Sequence, residues 1–443
     1  MLTGPKTRHF IIMEKLSPPL AALLLFVLMG CSNDNPQQQT LVVEPSSVAA
    51  SAPFFLHIAD IHLDTAFVST SYGTDSGNDL WAITCQKLDS IIGDKSNPPQ
   101  FVLCTGDLPA HSNPSSGCGS TSGQDAGDHV GNIGVVMDSI HALFSRHKKV
   151  PFFYLPGNND GLDGDYYSFS DSRQGSLISK FPLDGFPAIN VNALNSKAPC
   201  LLDTSAFSMG YYTAKPVTGL RLIALNSVIF GQKYHEEDGI SHTQAGDTQM
   251  TWLTAQLKAA AVAGDKVYIA MHIPPGIDAH GGSAMWFNKN SNSWLNQFLA
   301  LTSTYQTTIT GILFGHTHMD EIRLLYSSTS QQTPVETAIS APSISPYHCN
   351  NPGFKLDYYD SKSFELTDFV TCYTTPGAAF YGNSSYRFSS VFGVQEKTIY
   401  DCLKNMNTDM INNKMDGIYY VYSPNATANP AKTKNALIVR PAQ

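Results

Sequence analysis

Five short apolar runs in this sequence each end in a turn that carries a carboxylate, an amide or an imidazole. In the run at residues 101–104, Thr105 and Gly106 separate the apolar residues from Asp107. Glycine allows a sharp turn, so Asp107 is expected just beyond the end of a buried strand. Open α/β sheets bind their ligands outside the carboxyl ends of such strands. The pattern therefore predicts an α/β fold with a polar site at one edge of a sheet.

The other four apolar runs carry the remaining candidate metal ligands. Donors at positions i and i+2 of an extended backbone point the same way and can hold one ion together. Read singly, each motif has an ordinary structural explanation, such as a turn carboxylate or a core histidine. Together the runs supply seven nitrogen and oxygen ligands, enough for two metals with Asp107 as the bridge. The seven candidates are Asp60, His62, Asp107, Asn158, His272, His316 and His318.

The donor types and the charge of the chain indicate a reaction class. Neutral imidazoles suit zinc, iron, manganese or cobalt, and the lack of thiolate ligands argues against a closed structural zinc site. Two divalent cations facing two carboxylates leave a positive site, which attracts phosphate although the chain has a net charge of −9. Two ions about 3.5–4 Å apart lower the pKa of a bridging water and stabilise in-line displacement at phosphorus. We therefore predict hydrolysis of phosphoesters or phosphoanhydrides.

The substrate is expected to be a phosphate-containing small molecule or polymer. Nucleic-acid binding is not expected, because the chain is acidic and its longest basic run after the N-terminal segment is residues 146–149. The acidic net charge also argues against wrapping of the chain around an anionic membrane surface. Any anionic substrate must therefore be attracted locally, at the site itself.

Periodic apolar residues predict the elements between the ligand turns. The helical spacing of Leu80, Ile83, Leu88 and Ile91 predicts an amphipathic helix, and each helix leads into a further strand as in a βαβ unit. The C-terminal residues 360–443 are less regular and are expected to pack on the preceding domain. The predicted helices are 78–94, 133–144, 248–263 and 400–410, and the predicted strands outside the ligand runs are 220–225 and 417–422.

The N-terminal segment resembles a bacterial lipoprotein signal. Basic residues precede a mostly apolar run, and Leu28-Met29-Gly30-Cys31 resembles a lipobox. The apolar run of about 14 residues is shorter than the roughly 20 that span a bilayer. The resemblance implies that residues 1–31 comprise a signal peptide and its lipobox cysteine, with Cys31 as the lipidated first residue after cleavage, and that 32–52 form a polar tether. The protein is then expected in the cell envelope, anchored by lipid in the outer membrane or periplasm, or secreted.

Seven cysteines remain after Cys31, which is an odd number in a compartment that permits disulfides. Cys104 lies inside an apolar run and is expected to stay free as a small core residue. The others can pair, but their spacing does not determine which with which. The six are Cys85, Cys118, Cys200, Cys349, Cys372 and Cys402.

The order of the ligand motifs resembles a known family. Asp-x-His, Gly-Asp, Gly-Asn, His and Gly-His-x-His, over about residues 54–323, resemble the calcineurin-type metallophosphoesterases. Residues 105–111, 264–276, 314–321 and 341–353 resemble the acid sphingomyelinase-like phosphodiesterase branch. The resemblance implies a four-layer α/β/β/α sandwich at residues 53–359, with 360–443 as a C-terminal extension.

The resemblance also implies how the ligands divide. One metal would be held by Asp60, His62, Asp107 and His318. The other would be held by Asp107, Asn158, His272 and His316. Zinc is the implied ion, with manganese or iron as alternatives.

Asn159 departs from the family pattern. The family usually has a histidine directly after the asparagine ligand, and that histidine protonates the leaving group. An amide cannot act as a general acid near neutral pH. His111, in the family's Gly-Asp-x-Pro-x-His segment, is the candidate for this role, and His280 is the second candidate.

Two function classes therefore remain open from the sequence. The first is a hydrolase of phosphodiesters, similar to sphingomyelin phosphodiesterases. Within this class, polyphosphate and nucleotides stay as alternative substrates, because Gly-Asn-Asn-Asp also resembles endopolyphosphatases and anhydrides have good leaving groups. The second class is a metal-bearing binding lipoprotein that has lost turnover through Asn159.

Overall fold

The computed structural model describes residues 52–441, except 112–127, 148, 170–200, 237–238, 288–292, 328–332 and 394–395. The predicted signal, nearly all of the predicted tether, Cys118 and Cys200 lie outside the described residues. No described helix is both long and apolar enough to cross a membrane.

The strands of the described residues follow the chain in this order. They are β1 (Phe54–Ile58), β2 (Val102–Cys104), β3 (Phe152–Tyr154), β4 (Leu201–Asp203), β5 (Tyr212–Val217), β6 (Leu220–Ala224), β7 (Lys266–Ala270), β8 (Ile309–Phe314), β9 (Ile322–Leu325), β10 (Glu336–Ser340), β11 (Gly353–Tyr359), β12 (Leu366–Tyr373), β13 (Ser385–Arg387) and β14 (Ile438–Val439).

The α-helices of the same residues lie between and after these strands. They are α1 (Asn78–Ile92), α2 (His129–Arg146), α3 (His242–Ala263), α4 (Trp294–Thr304), α5 (Phe388–Phe392), α6 (Ile399–Lys404), α7 (Thr408–Lys414) and α8 (Pro430–Leu437).

The strands form two sheets. The six-stranded sheet has the order β13-β12-β11-β1-β2-β3, and the eight-stranded sheet has the order β14-β9-β10-β8-β7-β6-β5-β4. β1, β2 and β3 run parallel, and so do β6, β7 and β8. The strands that precede the candidate ligands therefore end at the same edge of their sheet, as parallel crossovers require.

The alternation of side chains along β1 shows the layers. Leu56 and Ile58 pack with Leu80 of α1 and Ile133 of α2 on the outer face. Phe55, which points the other way, packs into the core between the sheets, with residues of the eight-stranded sheet. α3 and α4 cover the far face of the eight-stranded sheet. The chain is thus a four-layer α/β/β/α sandwich, and this expectation is confirmed.

The C-terminal residues are built into both sheets. β12 and β13 extend the six-stranded sheet, and β14 pairs with β9 in the eight-stranded one. Ile399, Leu403 and Ile411 join the core between the sheets. Residues 360–443 therefore do more than cover the domain, because they contribute strands to it.

Two predictions for the C-terminal residues are wrong. Residues 417–422 form turns and no strand, because Val421 (φ 50°) and Tyr422 (φ 57°) lie in the left-handed region that extended chains avoid. The single helix expected at 400–410 is two helices, α6 and α7. The second begins after Asn407, whose side chain accepts a hydrogen bond from the Met410 N–H.

The cysteines are mostly unpaired in the described part of the chain. Cys104 is free and buried, as predicted. Cys85, Cys372 and Cys402 are free as well, and Cys349 is disulfide-bonded.

Candidate metal centre

The turn after β1 and the Gly-His-x-His turn after β8 meet over Asp107. The Nε2 atoms of His62 and His318 are 3.0 Å apart, and His62 Nε2 is 3.4 Å from Asp107 Oδ2. Asp60 Oδ1 lies 3.8 Å from His62 Nε2 and 3.7 Å from His318 Nε2. These four side chains, which the family resemblance assigns to one metal, are therefore brought together.

The second set of predicted ligands also contacts Asp107. His272 Nε2 is 3.2 Å from Asp107 Oδ2 and 3.0 Å from Asn158 Oδ1. His316 Nδ1 lies 3.3 Å from the same His272 nitrogen. All seven predicted side chains thus converge on one region, with Asp107 common to both sets.

The backbone is strained at most of these ligands. Asp60, His62, Asp107, His316 and His318 all have positive φ, between 44° and 74°. Residues other than glycine adopt this region at a cost, and such strain concentrates at functional sites. The surrounding fold therefore holds five of the candidate ligands in backbone conformations that are unfavourable for residues other than glycine.

Two glycines make the Asp107 turn fit. A Cβ on Gly157 would lie 2.1 Å from Asp107 Oδ1, and a Cβ on Gly106 would lie 2.3 Å from Gly157 N. Gly106 also has φ +97°, which favours glycine. The two turns approach closely because neither has a side chain at the contact.

The charges of the cluster are consistent with bound cations. Asp60 and Asp107 are buried, and within the described ranges they form ion pairs only with histidines. Buried carboxylates need a cation or several donors. Groups of metal-ligating atoms within 4.8 Å of one another occur here, and the donor set fits two divalent cations.

Burial and neighbouring charges shift the pKa values of the four histidines among the candidate ligands. Burial lowers the pKa of His62, but the hydrogen bond with Asp60 and the charge of Asp107 outweigh it and raise the pKa to about 9. The charge of Asp107 likewise overcomes burial at His272 and raises its pKa to about 9. Burial and neighbouring imidazoles hold the pKa of His316 and His318 well below the ordinary value. Metal binding would therefore displace protons from the first two histidines.

With this geometry in view, comparison with known proteins assigns the chain. The model of the calcineurin-like phosphoesterase family matches residues 55–320. The chain belongs to the calcineurin-like phosphoesterase family.

Relatives of this calcineurin-like phosphoesterase are named as phosphodiesterases. Sphingomyelinase phosphodiesterase D of Dictyostelium discoideum is 29% identical over 315 residues, covering 71% of this chain and 63% of its own. Human sphingomyelin phosphodiesterase is 31% identical over 333 residues, covering 73% and 48%. Bovine cyclic GMP-AMP phosphodiesterase SMPDL3A is 25% identical over 410 residues, covering 82% of each chain. The chain thus spans about half of the human relative's length and 63% of the first one's.

One solved structure has a similar outline. The match to a dimetal phosphatase from Danio rerio covers all of that chain and 75% of this one, with 14% identity and a TM-score of 0.47. The family assignment rests on the match of the family model alone.

Asn159 holds the central carboxylate of the phosphoesterase site. Its backbone N–H donates to Asp107 Oδ1 at 2.7 Å, and its side-chain Nδ2 donates to Oδ2 at 2.9 Å. The residue is only 1% exposed and is not part of the cavity wall. The amide therefore positions Asp107, and its place in the fold agrees with the expectation that it is no proton donor.

His111 faces the cavity and has a fixed orientation. Its Nδ1 is 2.8 Å from Asp75 Oδ1, and its ring stacks between those of His62 (3.9 Å) and Tyr347 (4.0 Å). The hydrogen bond to the buried carboxylate leaves Nε2 as the nitrogen available to a substrate. Burial raises the pKa of the Asp75 carboxyl. The charge of His111 and the hydrogen bonds from His111 outweigh burial and hold this pKa below the ordinary value.

The His280 ring forms its hydrogen bonds within the protein. Its Nε2 donates to the Thr317 carbonyl at 2.7 Å, and its Nδ1 is 3.2 Å from the Tyr420 hydroxyl. Both ring nitrogens therefore have partners within the fold, which favours His111 over His280 as a proton donor.

Three carboxylates that support the site were not singled out from the sequence. Asp160 accepts from the N–H groups of Asp107, Leu108 and Gly157 at 2.7–2.9 Å. Asp165 accepts from Asn158 Nδ2 at 2.6 Å, and Asp75 orients His111. Only Asp160 had a local signal, as the last residue of Gly-Asn-Asn-Asp. The other two lie in loops whose partners are distant or unmarked in the sequence.

A cavity of about 470 Å³ opens above the metal centre. Its floor contains Asp107, Asn158, His316 and His318. Its wall is largely polar, with His111, Tyr347 and His348 among its lining residues. The cavity therefore gives a bound molecule direct access to these four candidate ligands.

Proposed function

We propose that this phosphoesterase hydrolyses phosphodiester or phosphoanhydride bonds with the help of two divalent cations. The observation that carries the proposal is the convergence of seven candidate ligand side chains, in two sets that share Asp107. Four of them, Asp107, Asn158, His316 and His318, line one polar cavity. The names of the relatives support phosphodiesters such as sphingomyelin as a substrate class.

The two sets supply the two metal sites. Asp60, His62, Asp107 and His318 would hold one cation, and Asp107, Asn158, His272 and His316 the other. When bound, the cations supply Lewis acidity that activates water and offsets charge on the phosphoryl oxygens. Imidazole and carboxylate donors without thiolates support zinc, with manganese or iron as alternatives.

The protein's own residues supply the remaining chemistry. Asn159 and Asp160 hold Asp107 and its turn from behind, so the carboxylate cannot rotate away from the two ligand sets. His111 carries the proton for the leaving group at Nε2, with Asp75 holding the other nitrogen. The stacking of the His111 ring on the ring of His62, a candidate metal ligand, supports this role.

The direct test is metal-dependent turnover of bis(p-nitrophenyl) phosphate by protein lacking residues 1–31. We expect activity with added zinc or manganese that Asp107→Asn lowers at least about a hundredfold, since a bridging ligand is lost. Asp138→Asn, which removes an exposed carboxylate on α2, is the matched control and should keep full activity. Equal, near-zero turnover in the unsubstituted and Asp107→Asn proteins, with metal bound, would favour the binding lipoprotein instead.

Metal identity and substrate need separate measurements. Elemental analysis of purified protein should give two metal ions per chain, with zinc predominant. A panel of sphingomyelin, ATP, cyclic nucleotides and polyphosphate then ranks the substrate classes by kcat/KM.

We also propose that the protein is a lipid-anchored envelope protein. The proposal rests on the resemblance of Leu28-Met29-Gly30-Cys31 to a lipobox. Cys31→Ala should move the full chain from the membrane fraction to the soluble fraction of a bacterial host. An unchanged distribution contradicts the anchor.

A further inference from the structure

The cavity wall carries three charged side chains besides Asp107 and the histidines, within the described residues. They are Asp165, Lys233 and Asp278. The carboxylates of Asp165 and Asp278 accept hydrogen bonds from other groups of the protein. Asp165 Oδ1 accepts from Asn158 Nδ2 at 2.6 Å, and the two oxygens of Asp278 accept from the N–H groups of His280 and Gly281 at 2.9 and 2.7 Å.

Lys233 differs from both carboxylates because, among the described residues, its ammonium makes no hydrogen bond or ion pair, although its charge acts at longer range on Asp165 and His316. Its ammonium lies 5.3 Å from the centre of the Tyr166 ring, and among the described residues it forms no ion pair. An ammonium over an aromatic face is attracted weakly, and the position stays open to an anion. Among the described lining residues, Lys233 is therefore the lysine or arginine side chain that can bind an anionic substrate.

The backbone around Lys233 is fixed on both sides. Gly231 pairs with Trp286, and the His235 N–H donates to the Tyr166 carbonyl at 2.9 Å. The Gln232 side chain donates to the Ala284 carbonyl at 2.8 Å. Lys233 therefore projects from a clamped segment.

Tyr166 links Lys233 to the metal centre. Its hydroxyl is 3.5 Å from His316 Nε2, and its backbone is held at φ +62° by a hydrogen bond from its N–H to the Asn158 carbonyl. The ring thus spans from a ligand of the second set to the ammonium. Lys233 therefore lies on the side of the cavity where Tyr166 contacts His316.

We propose that Lys233 binds a second anionic phosphoryl group next to the scissile one, so that the substrates favoured by this site are phosphoanhydrides. This rests on the proposed function, which supplies the site for the first phosphoryl group. A simple phosphodiester has no second anion for Lys233. In a chain of net charge −9, a lone lysine at the site is the group that distinguishes the two classes.

Binding tests the inference without turnover. Metal-loaded protein lacking residues 1–31 is titrated calorimetrically with methylenediphosphonate, which cannot be hydrolysed as an anhydride, and with methylphosphonate. Lys233→Met should weaken binding of the diphosphonate about tenfold and leave methylphosphonate within about twofold, as expected for one charge-assisted hydrogen bond. Lys233→Arg should retain the preference. Lys258→Met, which removes an exposed lysine on α3, should behave as the unsubstituted protein.

Kinetics separates this inference from the proposed function. Lys233→Met should raise KM for ADP about tenfold and leave KM for bis(p-nitrophenyl) phosphate within about twofold. Turnover of the diester with no selective effect of Lys233→Met in either assay overturns the role of Lys233 and leaves the proposed function standing. Absence of all turnover, with the diphosphonate preference lost in Lys233→Met, contradicts the proposed function and keeps Lys233 as an anion-binding residue.

Discussion

At the scale of single residues, Asp107 is the side chain on which the site depends. Two residues hold it from behind, because Asn159 donates twice to its oxygens and Asp160 accepts from its backbone N–H. The charges of His272 and His62 overcome the effect of burial and lower its pKa, so it remains a carboxylate. The neighbouring amide and carboxylate therefore fix its orientation, while the histidines fix its charge.

Asn159→Ala should weaken metal binding without removing a ligand. The loss of the Nδ2 donor frees Asp107 Oδ2, and loss of such supporting contacts typically costs about 10–100-fold in metal affinity. Competition with a chelator measures the affinity, and Asn413→Ala, an exposed site on α7, is the matched control. Unchanged metal affinity with reduced turnover would show that Asn159 acts on the substrate instead.

His111→Ala should slow substrates according to their leaving groups. An ester with a poor leaving group needs a proton and should lose about 100-fold or more in kcat, whereas one with a good leaving group should lose far less. Rates with a series of aryl and alkyl esters measure the difference. Equal slowing of all esters argues against the proton-donor role, and loss of one metal from the variant would identify His111 as a ligand.

At the scale of elements, the C-terminal turn after α7 reaches the site. The Tyr419 carbonyl accepts from the Asp320 N–H at 2.9 Å, close to the Gly-His-x-His turn. Tyr420 lies against His280 Nδ1, and Lys432 donates to the His280 carbonyl. The sequence predicted a strand here, but residues with positive φ turn the chain back towards the site. The extension therefore fastens a loop of the cavity wall.

Tyr420→Phe should loosen that loop. The loss of one hydrogen bond to His280 costs about 1 kcal/mol, and the loop around residues 277–285 should exchange its amide protons faster. Hydrogen exchange measures this, and kcat/KM should fall several-fold with metal content unchanged. Tyr422→Phe, a partly exposed tyrosine, is the matched control. Unchanged exchange in the loop contradicts the fastening role.

At the scale of the whole molecule, stability depends on pH through a buried carboxyl group far from the proposed ligands. Glu336, at the start of β10, accepts a hydrogen bond from the Thr337 N–H at 2.8 Å, and the Thr337 side chain is a further hydrogen-bond partner. Burial raises its pKa from 4.5 to about 8. Between these values the folded chain keeps a proton that the unfolded chain releases. The contribution of Glu336 to the free energy of unfolding is therefore largest near or below pH 4.5. This contribution is lost as the pH rises through 8.

Glu336→Gln should remove this dependence. The variant should gain a few degrees in Tm over the parent chain at pH 8.5 and little at pH 5, because glutamine keeps the same shape without the charge. Thermal unfolding at both values measures the difference. Glu396→Gln, an exposed glutamate, should change neither Tm. An equal gain at both values would contradict a buried acid.

The candidate ligands could be predicted from the sequence, and the four-layer sandwich from the family that its motifs resemble. Each of the seven candidate ligands follows one of five strands within a few residues, and the alternation of apolar residues along the strands is also local. Three features were decided only by tertiary structure: the support of Asp107 by Asn159, the position of Lys233 on the cavity wall, and the contact of Tyr420 with His280. The physical reason is distance along the chain, because Asn159 lies 52 residues from Asp107, and Tyr420 lies 140 from His280. Such contacts form only when strands, turns and the C-terminal extension pack together.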